Sequence, residues 1–140
     1  MDTGKSALGL DGNLAAALGY PIGIIAIICL IMEKENRFVK FHALQAILLY
    51  AAFIVVAIGL TIIFMIIGII LGVAAAAANS SAGGGLVGIF GLLSFLIWIV
   101  ILIAYVGGLI MAAVKAYGGV YYKLPIIGNL AEKWTSPDYS

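Results

Sequence analysis

Residues 43–114 read ALQAILLYAAFIVVAIGLTIIFMIIGIILGVAAAAANSSAGGGLVGIFGLLSFLIWIVILIAYVGGLIMAAV, and no ionisable Asp, Glu, Lys, Arg or His occurs among them. Two helices crossing a bilayer need about 20 apolar residues each, so this stretch is long enough for two spans or three short ones. Its composition divides it. Ala43–Leu71 and Leu86–Val114 are rich in large apolar residues, whereas Gly72–Gly85 is Ala, Asn, Ser and Gly. The middle piece reads as a flexible connection of low hydrophobicity.

Outward from this stretch, residues 14–32 are also free of charge. As one helix they would reach about 29 Å, close to the thickness of a hydrocarbon core. They are read as a first span, with Pro21 between Gly19 and Gly23 marking a kink or a close helix contact. Glu33–His42 joins it to the next helix, with Asn36 as candidate N-cap. The segment 115–134 carries Tyr117, Tyr121, Tyr122 and Trp134, rings suited to the headgroup level. Its apolar run is too short to span and fits the interface or the underside of the bundle. Residues 135–140 read as a disordered tail. The expectation is an all-α, polytopic transmembrane protein: one domain over 1–134, with spans near 14–32, 43–71 and 86–114.

The composition of the 140-residue chain agrees, at 65% hydrophobic and 9% charged. A soluble domain carries about a quarter charged residues. The N-terminal run ends in Glu33-Lys34-Glu35-Asn36 rather than at a small-residue cleavage site, so it is expected to stay in the mature protein. The lone Cys29 sits among apolar residues and reads as a small hydrophobe.

Cation placement sets the expected topology. With three spans, Lys34, Arg37, Lys40, Lys115, Lys123 and Lys133 share one face and Lys5 lies on the other, six against one. With four, the count is three against four. The positive-inside rule favours three, with the N-terminus outside and the C-terminus in the cytoplasm.

Two groups of residues stand out. Small residues at helical spacing (Ala104, Gly108, Ala112 and Ala116, with Gly68 and Gly72, and Gly84 and Gly88) allow close helix packing, either within one molecule or between copies. Around the first turn, Lys34, Arg37, Lys40, His42 and Gln45, with Lys123, are candidates for contact with lipid phosphates or a partner. The plainer reading is a topology signal and helix cap, with His42 satisfied by a neighbour. No acidic or basic side chain lies inside a span, unlike the proton relays of coupled carriers. One His without a buried carboxylate does not meet the usual ligand count of a metal site. Apart from His42 near the membrane border, neither Ser94 nor Cys29 has a base on a facing span. No cofactor, no nucleic-acid partner and no enzymatic activity are expected. Lipids, and either a second copy or a larger membrane complex, are the expected partners.

Glu33-Lys34-Glu35-Asn36-Arg37-Phe38-Val39-Lys40-Phe41-His42-Ala43-Leu44-Gln45 resembles the signature between the first two spans of a small, uncharacterised prokaryotic membrane family. Tyr122–Lys133 resembles its C-terminal signature, and Leu8-Gly9-Leu10-Asp11-Gly12-Asn13 its opening. That family is distantly similar to the twenty-kilodalton subunit of the chloroplast inner-envelope import translocon. The resemblance implies a membrane protein without an assigned activity, and by analogy a part in protein or solute passage along a path lined by His42, Gln45, Thr61, Asn79 or Ser94. The insert at 72–85 departs from the pattern, and the chloroplast relative is drawn with four spans. Three readings follow: a scaffold or assembly subunit, a translocation component, and an anionic-lipid-associated regulator.

Overall fold

The computed structural model describes residues 3–135. They form five helices: α1 (Gly12–Leu18), α2 (Gly23–Met32), α3 (Arg37–Ala78), α4 (Ser81–Tyr117) and α5 (Ile127–Thr135). α3 and α4 are long and apolar enough to cross a membrane. The expected tail, apart from Thr135 at the end of α5, lies outside the described residues. The chain forms two compact units. One comprises the chain up to Ala52 and from Val106 onward, and the other is Phe53–Tyr105.

The unit Phe53–Tyr105 is an antiparallel helical hairpin. Its half-buried positions include Phe53, Ala57, Leu60, Phe64, Gly68, Leu71 and Ala75 on α3, and Gly83, Val87, Phe90, Ser94, Trp98, Ile101 and Tyr105 on α4. Both series advance by steps of four, three, four, four, three and four, an eleven-residue repeat close to the natural pitch of a straight helix. They face each other symmetrically about Asn79. Phe53 stacks on Tyr105 with ring centroids 4.1 Å apart. A Cβ on Gly68 would meet the Phe90 ring at 3.6 Å, and one on Gly83 would meet Ala75 at 2.9 Å. The remaining large apolar side chains point outward: Val55, Val73, Val100 and Ile103 are each about two-thirds exposed. Helices apolar all round in this way belong in lipid. Each arm, 53–78 or 81–105, reaches about 38 Å, enough for the hydrocarbon core.

The Ala- and Gly-rich segment 72–85 is not a flexible connection. Helix continues through Ala78 and resumes at Ser81, leaving Asn79 and Ser80 as the turn. The reason is intrinsic: alanine is the best helix former, and loss of hydrophobicity does not end a helix. Asn79 turns the chain with φ +45°, a left-handed conformation that Asn tolerates.

The other unit holds the buried core, drawn from Ala15, Ala16, Tyr20, Ala26, Cys29, Val39, Ala43, Ala46, Ala112 and Ala116 among others. Here the expected first span is corrected. Residues 14–32 are not one helix but two short ones, reversing at Gly19–Ile22. Pro21 lacks an N–H and biases Tyr20 away from helical geometry. α1 and α2 then pack face to face, and a Cβ on Gly19 would touch Ala26 at 3.3 Å. Both ends of the pair return to one place. A Cβ on Gly12, at the start of α1, would meet the Asn36 amide at 2.9 Å. Asn36 follows α2 and opens α3.

Candidate functional site

The polar side chains of this unit gather where the opening turn, the α2–α3 junction and the segment after α4 meet. Asn36 caps α3 as the sequence suggests: its Oδ1 accepts from the Val39 N–H at 3.2 Å. Its Nδ2 donates to the carbonyls of Thr3 (2.7 Å) and Lys5 (3.1 Å). Glu33, only 5% exposed, accepts from the Ala7 N–H at 2.8 Å with one oxygen and from the Asn36 N–H at 3.1 Å with the other. Asn13 donates to the Tyr117 carbonyl at 2.9 Å.

α4 ends in a Schellman motif. The Val120 N–H bonds to the Lys115 carbonyl and the Gly119 N–H to that of Ala116. Gly119 is at φ +75°, which glycine adopts without steric cost. This stop sends Val120–Leu124 back across α3, where His42 and Gln45, both fully buried, receive it. His42 Nε2 lies 3.0 Å from the Val120 carbonyl. A carbonyl only accepts, so Nε2 carries the proton and Nδ1 is left as acceptor. The Tyr20 hydroxyl, 2.8 Å from Nδ1, therefore donates to it. The same hydroxyl accepts from Gln45 Nε2 at 2.6 Å. Gln45 Nε2 also donates to the Tyr122 carbonyl at 2.9 Å, and its Oε1 accepts from the Leu124 N–H at 3.0 Å. Proton order is thus set throughout: Gln45 to Tyr20, Tyr20 to His42, His42 to Val120. Among the described residues, no buried side-chain nitrogen or oxygen lacks a partner.

Phe38, Phe41 and Tyr121 pack around the His42 ring, with centroids 4.6, 5.0 and 6.2 Å away. Burial pushes the Tyr121 phenol above the usual tyrosine range, against the opposing effect of Arg37. Beyond Leu124, Ile126 at φ +65° turns the chain into α5. Gly128 fits because a Cβ there would lie 2.5 Å from Lys123 Cβ and 2.8 Å from Gln45 Oε1. Ala131 of α5 is buried against Phe41 and Leu44.

The candidate contact residues therefore separate. His42 and Gln45 lie inside, bonded to the chain's own backbone. Lys34 and Arg37 are exposed and Lys40 half-exposed. Arg37 lines an open cleft of about 440 Å³ with Lys5, Glu35, Phe38 and Tyr121. Lys123 pairs with Glu132 at 2.7 Å. Of the packing candidates, Ala112 is buried in the core, and a Cβ on Gly108 would touch Leu124 at 3.9 Å. Gly68 faces Phe90, a Cβ on Gly72 would meet nothing, and Ala104 is exposed. Tyr20, Glu33 and Gly128 were not among the sequence candidates. A tyrosine beside proline and a carboxylate ending an apolar run were the available signals. The Ser94 hydroxyl donates to the Phe90 carbonyl at 2.8 Å. Among the described residues, no group of three His, Cys, Asp or Glu side chains could hold a metal ion.

Comparison with known proteins agrees with a membrane protein. A UPF0132 membrane protein of Methanocaldococcus jannaschii is 37% identical over 133 residues, covering 94% of this chain and 96% of the relative. One from Archaeoglobus fulgidus is 36% identical over 122 residues, covering 86% and 92%. Another from Methanocaldococcus jannaschii is 34% identical over 129 residues, covering 91% and 73%. No solved structure matches. With residues 7–131 matching the family model, and these relatives named as membrane proteins, the chain belongs to the magnetosome magnetite crystal formation protein family.

Proposed function

We propose that this protein is a non-enzymatic membrane scaffold that works through the packing of its apolar helix faces. One observation carries the reading: the buried polar groups are engaged within the chain, while large apolar side chains of α2, α3 and α4 face outward. A site built for turnover leaves polar groups converging on a cavity. Here Tyr20, His42 and Gln45 converge on backbone.

The reading includes a topology with two spans, α3 and α4, and both termini on one face of the cell membrane. The bonds from Asn36 to Thr3 and Lys5, and from Asn13 to Tyr117, support it. So does charge: Lys5 joins the other cations, and none is left near the Asn79 turn. The cation-bearing face is then cytoplasmic. The three-span arrangement with an external N-terminus would separate groups that are hydrogen-bonded to each other. Protein or solute passage, suggested by the chloroplast resemblance, has less support, since His42 and Gln45 are fully buried. The family's description speaks of magnetite crystal formation. Among the described residues Asp11 and Glu132 are ion-paired and Glu33 is buried against backbone N–H groups, which leaves Glu35 as a lone exposed carboxylate and favours organising membrane over binding mineral.

The test is gentle isolation of the full chain from its native membrane, followed by mass determination of the intact particle. A defined homo-oligomer or a stable complex with a membrane partner is expected. A strictly monomeric particle without companions would overturn the scaffold reading.

A further inference from the structure

We propose that the α1–α2 hairpin is a wedge seated in a single leaflet, which makes the protein favour bilayers whose hairpin-bearing face is convex. The assignment of that face to the cytoplasm rests on the topology proposed above. The wedge itself rests on this unit alone.

The depth follows from α3. Gly12 and Asn36 meet at the mouth of the hairpin, and the reversal lies beside Tyr50: a Cβ on Gly23 would touch the Tyr50 ring at 3.2 Å. Lys40 is the last charge on α3, and Tyr50 stands ten residues further on, about 15 Å along the axis. That is about half of a 30 Å hydrocarbon core. α2 has ten residues, so it too reaches about 15 Å. The hairpin thus enters from the charged face, turns near the bilayer centre and leaves by the same face.

Its surface and its bend fit lipid. Ile24, Ile27 and Ile31 form an outward stripe exposed by 70, 50 and 73%. The bend is compatible with membrane depth because its backbone is engaged: the Tyr50 hydroxyl donates to the Tyr20 carbonyl, and the N–H groups of Tyr20 and Ile22 bond to Ala17 and Leu18. Beside Pro21 an entirely apolar cleft of about 370 Å³, lined by Val106, Leu109, Ile110, Ala113 and Val114, suits acyl-chain ends. Two helices about 10 Å across add about 160 Å² to one leaflet and nothing to the other. Such an imbalance is relieved when the fuller leaflet lies on the outside of a curve.

The test uses full-length protein carrying Ile22→Cys, labelled at that position, in phosphatidylcholine–phosphatidylglycerol vesicles of graded diameter. Protein density should rise severalfold from the widest to the narrowest vesicles, with the Lys34–Lys40 turn facing outward on the narrow ones. Equal density at all diameters would overturn the wedge. Trimming the stripe (Ile24→Ala, Ile27→Ala, Ile31→Ala) should flatten that dependence, and a dependence unchanged by trimming would also count against it. Lipid-borne quenchers at graded depths separate this inference from the topology. A label near the bilayer centre without curvature preference defeats the wedge alone. A label at the far aqueous face defeats the two-span reading as well.

Discussion

Asn36 Nδ2 lies 2.7 Å from the carbonyl oxygen of Thr3, thirty-three residues earlier in the chain. One side chain thereby caps α3 and closes the mouth of the first hairpin. Asn36→Asp keeps the acceptor for Val39 but loses both donors, whereas Asn36→Ala loses everything. Loss of the cap alone costs about 1 kcal/mol. Thermal unfolding in mild detergent should therefore rank wild type above Asn36→Asp above Asn36→Ala. Equal values for wild type and Asn36→Asp would show that the bonds to Thr3 and Lys5 add no stability.

Gln45→Met replaces an amide with three engaged bonds by a side chain of similar size. It leaves the Leu124 N–H, the Tyr122 carbonyl and the Tyr20 hydroxyl short of partners. Each such buried group costs about 1–3 kcal/mol, so a loss of about 3 kcal/mol or more is expected. Tyr20→Phe, which affects fewer bonds, should cost about 1–2 kcal/mol. Limited proteolysis should show new cleavage between Val120 and Ile126 in Gln45→Met before the helices unfold.

Gly128→Ala places a methyl against Lys123 Cβ and Gln45 Oε1 at 2.5 and 2.8 Å. α5 must move away, at a cost of about 1–3 kcal/mol. Faster amide exchange across Ile127–Thr135, with α3 and α4 unchanged, is the expected signature.

Gly83→Leu and Gly84→Leu form a matched pair at the hairpin turn. A Cβ on Gly83 would press on Ala75 at 2.9 Å, whereas one on Gly84 would meet nothing within 4 Å. Only the first should lower the unfolding temperature or splay the arms, as measured by distances between spin labels on α3 and α4.

Lys5→Ala serves as a control. Its pair with Asp11 is 2.6 Å long, but the two side chains are 70 and 64% exposed. Exposed pairs contribute little, so the change should leave stability within about 0.5 kcal/mol.

Membrane character, α3, α4 and the cap at Asn36 were legible because runs without ionisable groups and cap chemistry are local signals. The reversal at Gly19–Ile22 was visible only as Gly19, Pro21 and Gly23, which serve a kink as well as a turn. Choosing between them takes the bonds from Asn36 to Thr3 and from Asn13 to Tyr117, which no window along the chain contains. Charge counting gave six against one for the three-span reading and did not reveal that Lys5 itself sits beside Asn36. The insert 72–85 was misread because falling hydrophobicity was taken for loss of helix. The backbone partners of His42 and Gln45 lie more than seventy residues away on extended chain, which carries no side-chain signature.

The mirror pairing of α3 and α4 about Asn79 limits how the gene can drift in length. Deleting one eleven-residue repeat from each arm at matched distances from the turn would preserve every remaining facing pair and shorten both spans equally. An unmatched loss of one residue would rotate the rest of that arm by about 100° and set Phe53 and Tyr105 on different sides. Insertions and deletions in this family are therefore expected in compensating couples, and a thinner or thicker bilayer can be matched without altering the polar end of the molecule.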